Sequence, residues 1–218
     1  MAADAGIRGQ PHPEREEEMI VPIEDPNVRP EILDRVEAEG FAVFDSGADF
    51  DLNIIGERNP AGEDDNFDDW LHVIYKEGGE WRWHAYRVTT DPGIYWLRRG
   101  EDRGTAILCH PQQMRGVYKL DLHSGKYLAL CQRNGEVKVW RDRNGDDHAD
   151  LGGNVHEGYF GINIHRSSIR GSDRVGPYSA GCTVFSDPDD FNEFIQLCKE
   201  QERINDWSTY TYTLIGGK

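Results

Sequence analysis

Trp70-Leu71-His72-Val73-Ile74-Tyr75 and Trp81-Arg82-Trp83-His84-Ala85-Tyr86-Arg87-Val88 stand on either side of Glu77-Gly78-Gly79-Glu80. Both runs are rich in β-branched and aromatic residues, which suit a pleated, half-buried surface. Between them lies a pair of glycines, the residue that takes positive φ without steric cost, so the stretch reads as two strands and a hairpin turn. Trp81 and Trp83 alternate along the second strand. Packing against a core face is the plain reading of that alternation, and presentation of aromatics to a sugar or peptide is the other.

The same texture extends both ways from the hairpin. Phe41-Ala42-Val43-Phe44 and Phe50 to Ile55 precede it as strands. Thr105 to Cys109, Gly116 to Leu122, Lys126 to Gln132, Glu136 to Trp140, Tyr159 to His165, Cys182 to Phe185 and Thr209 to Ile215 follow it. Two segments break the pattern. Pro30 to Glu39 carries Ile32, Leu33 and Val36 at helical spacing and stops at Gly40. Phe191 to Arg203 reads as a helix capped by Asp187-Pro188-Asp189-Asp190, with acidic residues at its positive end. Residues 1–26 are polar and rich in Pro and Glu, and read as an N-terminal arm. The expectation is a single mainly β domain over 27–218, a sandwich or barrel with one N-terminal and one C-terminal helix, α+β by strict count.

Of the 218 residues, 37% are apolar, with six Trp, nine Tyr and eight Phe, enough for one sizeable core. The net charge is −16, from 40 acidic against 24 basic residues, which argues against a nucleic-acid partner because phosphate neutralisation needs stripes of Lys and Arg. No run approaches the roughly 18 apolar residues of a membrane span. The opening Met1-Ala2-Ala3-Asp4-Ala5-Gly6-Ile7-Arg8-Gly9 lacks the basic flank and apolar stretch of a secretory signal, so synthesis in the cytoplasm without a signal peptide is expected. Cys109, Cys131, Cys182 and Cys198 form no C-x-x-C pair, which disfavours a zinc or dithiol site. Cys131 and Cys198 sit in apolar contexts as small hydrophobes, and Cys109 is ambiguous.

Cys182 has different surroundings. Phe160-Gly161-Ile162-Asn163-Ile164-His165 delivers a histidine to a strand end, thirteen residues follow from Arg166 to Tyr178, and Ser179-Ala180-Gly181-Cys182-Thr183-Val184-Phe185 leads into the next element. Thiolate chemistry needs a nearby base and backbone N–H groups converging on an oxyanion. Gly181 lets the backbone approach a substrate carbonyl, and an adjacent imidazolium lowers a thiol's pKa. The competing reading is a buried, inert Cys182 and a satisfied strand-end His165.

The His165, thirteen-residue gap and Ser179-x-Gly181-Cys182 pattern resembles the signature of the L,D-transpeptidase (YkuD-type) family over about residues 85–215. The resemblance implies a β-rich catalytic domain with no required cofactor. It implies a Cys182 nucleophile that acylates on peptidoglycan stem peptides, and His165 as general base. Gly181 and Cys182 are implied as oxyanion N–H donors and Ser179 as support for the turn. Water or an amine then resolves the acyl-enzyme, making the protein a hydrolase or a transferase. Val88-Thr89-Thr90-Asp91-Pro92-Gly93 is a weaker echo of the same family. Two positions depart from the pattern: Ala180 stands in place of a second His, and Thr183-Val184 replaces the hydrophobic-Arg or hydrophobic-Asn pair. Arg166 or Arg174 is expected to supply the missing positive charge to a substrate carboxylate, and His123 to line the groove.

This Ser-Ala-Gly-Cys version is similar to a divergent branch common in bacteriophage proteins. It leads to the expectation of a phage-type lytic or virion-associated enzyme of the cell wall, released to the wall or carried with virion or lysis proteins, with hydrolysis favoured over cross-linking. Two rival classes stay open. One is a non-catalytic virion structural or wall-binding protein that keeps the fold. The other is a cysteine peptidase or acyltransferase acting on an unrelated peptide.

A second candidate lies in Asp142-Arg143-Asn144-Gly145-Asp146-Asp147-His148-Ala149-Asp150. Asp142, Asn144, Asp146 and Asp150 take positions 1, 3, 5 and 9 of a calcium loop, but position 6 is Asp147 where glycine is expected and position 12 is Gly153 where glutamate is expected. Bound Ca2+ is one reading, and a solvated, metal-free hairpin the other.

Overall fold

The computed structural model describes residues 25–99 and 103–218, so the arm expected over 1–26 lies outside the described residues except for Asp25 and Pro26. The elements run α1 (Glu31–Ala38), β1 (Asn53–Arg58), β2 (Asp69–Glu77), β3 (Glu80–Thr89), α2 (Ile94–Leu97), β4 (Thr105–Leu108), β5 (Gln112–His123), β6 (Tyr127–Gln132), β7 (Val137–Asp142), β8 (His156–Gly158), β9 (Ile164–Arg166), β10 (Thr183–Phe185), α3 (Pro188–Asn205) and β11 (Tyr210–Gly216). Eight strands close a barrel in the order β1-β11-β5-β6-β9-β10-β3-β2, and β4-β7-β8 form a separate three-stranded sheet. Strand accounts for 37% of the described residues against 16% helix, so the protein is mainly β. Closure leaves the barrel without a free edge.

The central hairpin forms as its glycines require. Gly78 (φ +61°) and Gly79 (φ +85°) both take positive φ, and Glu77 pairs with Glu80 across the turn. Trp81 is 5% exposed and packs in a cluster with Ile32, Leu33 and Val36 of α1, Ile55, Ile74 and Ile215. Its role is therefore in the core. The larger cluster fills the barrel and joins it to α3 through Phe191, Phe194, Ile195 and Cys198. Full burial of each such side chain stabilises by about 1.5–3 kcal/mol. Asp187 caps α3 by accepting from Asp189 N–H at 2.7 Å. Among the described residues no helix is long and apolar enough to cross a membrane.

Three expected strands differ from the structure. Residues 41–44 are irregular because amide side chains take the place of a partner strand: Gln113 exchanges hydrogen bonds with Ala42 N–H and C=O, and Asn53 does the same with Phe44. The strand expected from Phe50 begins at Asn53, since Phe50 is left-handed (φ +54°) and cannot sit in a ladder. The run from Tyr159 to His165 pairs as a strand only from Ile164. Its earlier N–H groups, on Phe160, Gly161 and Ile162, all turn to Gln132 Oε1 at 3.1, 2.9 and 3.2 Å. A single helical turn, α2, opens after Pro92-Gly93 where the sequence carries no helical periodicity.

Candidate functional site

Strands β9 and β10 lie side by side in parallel, with Ile164 opposite Thr183 and His165 opposite Val184. Thr183 N–H donates to Asn163 C=O at 3.0 Å, which carries the register back to Asn163 opposite Cys182. Side chains alternate along a strand, so Asn163, His165 and Cys182 share one face.

The turn that delivers Cys182 is built from the residues its sequence names. Ser179 is fully buried, accepts from Gly181 N–H at 3.2 Å and donates to Cys182 C=O at 2.8 Å. Gly93 N–H donates to Ser179 C=O at 2.9 Å, tying the Thr89–Gly93 segment to this turn. Gly181 has φ +111°, and a Cβ there would stand 2.1 Å from Ala106 C=O, so glycine is demanded by conformation and by space. The Gly181 N–H is engaged within the turn, on Ser179, and not aimed outward.

Cys182 Sγ accepts from Asn163 N–H at 3.4 Å and lies 3.7 Å from Gly161 C=O. Burial pushes its thiol up to about 11. Cys109, Cys131 and Cys198 are buried and free, whereas Cys182 is partly exposed. His165 is 4% exposed, and burial first, then the neighbouring His123, pushes its imidazole down to about 3. His165 Nδ1 lies 2.9 Å from Arg166 C=O. A carbonyl only accepts, so Nδ1 carries the proton and Nε2 keeps its lone pair. Tyr127 O–H donates to the same carbonyl at 3.2 Å. Among the described residues no hydrogen bond joins Sγ to the imidazole. At rest the thiol and the imidazole are both neutral.

His123, from the far end of β5, stacks on His165. Its orientation is fixed by Asn163: Asn163 Oδ1 accepts from Gln132 N–H at 2.9 Å, which turns Nδ2 toward His123 Nδ1 at 3.1 Å. Nδ1 of His123 therefore accepts and Nε2 holds the proton, and burial holds this imidazole below its ordinary value. Arg166 sits with its guanidinium 4.3 Å from the centre of the Tyr127 ring, beside the pair. Arg174 is directed elsewhere and donates to Asn66 at 2.9 Å. The structure thus gathers Cys182, His165, Ser179, Gly181, His123 and Arg166, and leaves Arg174 apart.

The residues proposed for calcium do meet, through Asn144. Its amide nitrogen donates to Asp146 and Asp150 at 2.9 Å each, its oxygen accepts from Asp146 N–H, and Asp142 accepts from Asp150 N–H at 3.1 Å. An asparagine binds a cation through oxygen, so Asn144 presents the wrong end of its amide to the carboxylates. Among the described residues no group of three or more His, Cys, Asp or Glu is arranged to hold a metal. The loop is braced by Arg98 on Asp147 and by His148 on Asp64.

Two sets of residues escaped the sequence reading. Gln132 and Asn163 organise the approach to Cys182 by hydrogen bonds to backbone, which no local pattern announces. Arg58, 1% exposed, donates to Thr90 Oγ1, Thr90 C=O and Leu108 C=O at 2.9 Å each and stands 3.1 Å from Asp91. Asp69 accepts from Thr90 N–H and Oγ1, and burial, aided by Asp91, raises it to about 6. This network holds the segment whose Gly93 grips the cysteine turn. The one available signal was Thr89-Thr90-Asp91-Pro92-Gly93 itself. Comparison of the chain with family models, with curated proteins and with solved structures gave no match.

Proposed function

We propose that the protein is a cysteine acyltransferase or peptidase in which Cys182 attacks a peptide carbonyl and His165 is its base. The observation that carries this is the fixed tautomer of His165. Its Nδ1 proton is held by Arg166 C=O, which leaves Nε2 with a free lone pair on a strand paired with the one that follows Cys182. A thiol near 11 and an imidazole near 3 make a standing ion pair unfavourable, so the proton leaves sulfur as the C–S bond forms. The tetrahedral oxyanion takes the N–H of Cys182, since that of Gly181 is engaged by Ser179. Collapse expels the amine, which receives the proton from His165, and leaves a thioester for water or a second amine.

Peptidoglycan stem peptides are the proposed substrates. The Ser179-x-Gly181-Cys182 resemblance supports this, and Arg166 beside the pair offers a guanidinium for a substrate carboxylate. In a phage-type lytic or virion-associated setting, cleavage is favoured over cross-linking. The test is a digest of purified peptidoglycan and free tetrapeptide stems, wild type against Cys182→Ala, read by mass spectrometry. Loss or exchange of the terminal D-amino acid in the wild type alone is expected.

A second reading, a wall-binding or virion structural protein without turnover, is favoured by one observation: Sγ bonds to backbone groups of Asn163 and Gly161 and not to the imidazole. Binding of peptidoglycan with no change in either digest would select it.

A further inference from the structure

On the outside of the barrel, β5 and β11 lose register. Tyr118 pairs with Tyr210 and Met114 with Tyr212, so Arg115, Gly116 and Val117 stand opposite Thr211 alone. Gly116 takes φ +62° and donates its N–H to Thr211 Oγ1 at 3.1 Å, an arrangement of a bulge, which bends its strand away from the sheet. The bend opens a cleft of about 410 Å3 lined by Phe44, Asp51, Arg115, Gln201, Trp207 and Thr209 among others. None of these belongs to the Cys182 group.

The walls of this cleft are fixed. Phe44 is held by its two-way exchange with Asn53, Leu52 N–H donates to Gln201 at 3.1 Å, and Asn205 donates to Asp49 C=O at 2.8 Å. The left-handed C-cap Asp206 (φ +57°) turns the chain out of α3, and Trp207 follows it, 44% exposed. The charges on those walls are uncommitted. Among the described residues, Asp51 has no hydrogen-bond or ion-pair partner, and Arg115 makes no ion pair, its guanidinium resting 5.9 Å from the Phe44 ring centre. They line one cleft without meeting each other. Burial raises the Asp51 carboxyl above its ordinary value.

We infer that this cleft is a second binding site, for a small zwitterionic ligand of the amino-acid or short-peptide class. A guanidinium matches a carboxylate, a carboxylate matches an ammonium, and both side chains line the same cleft. Trp207 and Phe44 give its side chain an apolar surface. The volume lies in the range of small-molecule pockets and accommodates a dipeptide. A neutral saccharide would use the aromatics but leave both charges unmatched.

Calorimetric titration of the full chain with dialanine, in L,L and D,D forms, tests this beside N-acetylated and C-amidated dialanine. Binding of at least one free form is expected, with each cap weakening it about tenfold or more, the loss of one charge-assisted contact. In Asp51→Asn the N-acetyl cap should cease to matter, and in Arg115→Gln the amide cap. Cys182→Ala should bind as the wild type does, which separates this site from the cysteine chemistry, and thermal melts of both charge variants confirm folding. No binding of either free dipeptide at millimolar concentration, or equal binding of free and capped forms, would overturn the proposal.

Discussion

His123 lies nearly flat on His165, ring centroids 4.1 Å apart and planes 24° from parallel. The two residues come from β5 and β9, strands separated by β6, and meet because Asn163 fixes one ring while Arg166 C=O fixes the other. Asn163→Ala should release His123 and loosen the stack. The expected outcome is a fall in turnover of about tenfold or more, with a loss of about 1–3 kcal/mol of stability because the buried Gln132 N–H loses its acceptor. Nitrogen-15 NMR of the histidines should show His123 losing its single Nε2–H tautomer. Retention of both turnover and tautomer would remove Asn163 from the account.

Gly181→Ala places a methyl against Ala106 C=O at a backbone conformation that L residues avoid. Destabilisation of more than about 2 kcal/mol by denaturant titration is expected. Gly78→Ala, where an added Cβ would meet nothing within 4 Å, should cost about 1 kcal/mol through φ alone. Equal effects would mean that the turn can relax.

Gln132→Ala removes the one oxygen that accepts from Phe160, Gly161 and Ile162. Stranding these N–H groups should cost about 2–4 kcal/mol, and hydrogen exchange at the three amides should accelerate together. Unchanged exchange would show that another acceptor replaces Gln132.

The buried neutral imidazole has a sign that can be worked out. His165 folds with a value near 3 against an ordinary 6.5, so between those limits the unfolded chain binds a proton that the folded chain refuses. Its share of stability is present above about 6.5 and is lost as pH falls toward 3. Urea titrations from pH 7 to pH 4 should show His165→Gln losing less stability than the wild type over that interval. Asp69, raised to about 6, acts in the opposite sense, since its folded form keeps the proton and its stabilisation declines as pH rises from about 4 to 6. Parallel curves for the wild type and His165→Gln would contradict the burial of an uncharged ring.

The hairpin around Gly78-Gly79, the capped helix after Asp187 and the Ser179-to-Cys182 turn were legible in the sequence because each is a local device, settled by residues within a few positions. What the sequence withheld is non-local. Residues 41–44 have the composition of a strand, yet the side chains of Asn53, nine residues on from Phe44, and of Gln113, 71 residues on from Ala42, satisfy their backbone instead. Gln132 and Asn163 read as ordinary polar residues until the barrel registers β6 against β9. Arg58 ends an apolar strand, where exposure would be the usual expectation, and is buried because Thr90, Leu108 and Asp91 converge on it. Asp142, Asn144, Asp146 and Asp150 are joined by hydrogen bonds within one loop.

The central claim is that Cys182 forms a covalent acyl intermediate, and trapping it is the most direct measurement. Wild type, His165→Ala and Cys182→Ala would be mixed with tetrapeptide stem, quenched in acid and read by intact-mass and peptide-mapping mass spectrometry. A mass increase equal to the stem peptide minus its terminal amino acid, on Cys182 of the wild type and absent from both variants, is predicted. No adduct in a folded wild type that still cleaves the stem, or an adduct that persists in Cys182→Ala, would contradict the account.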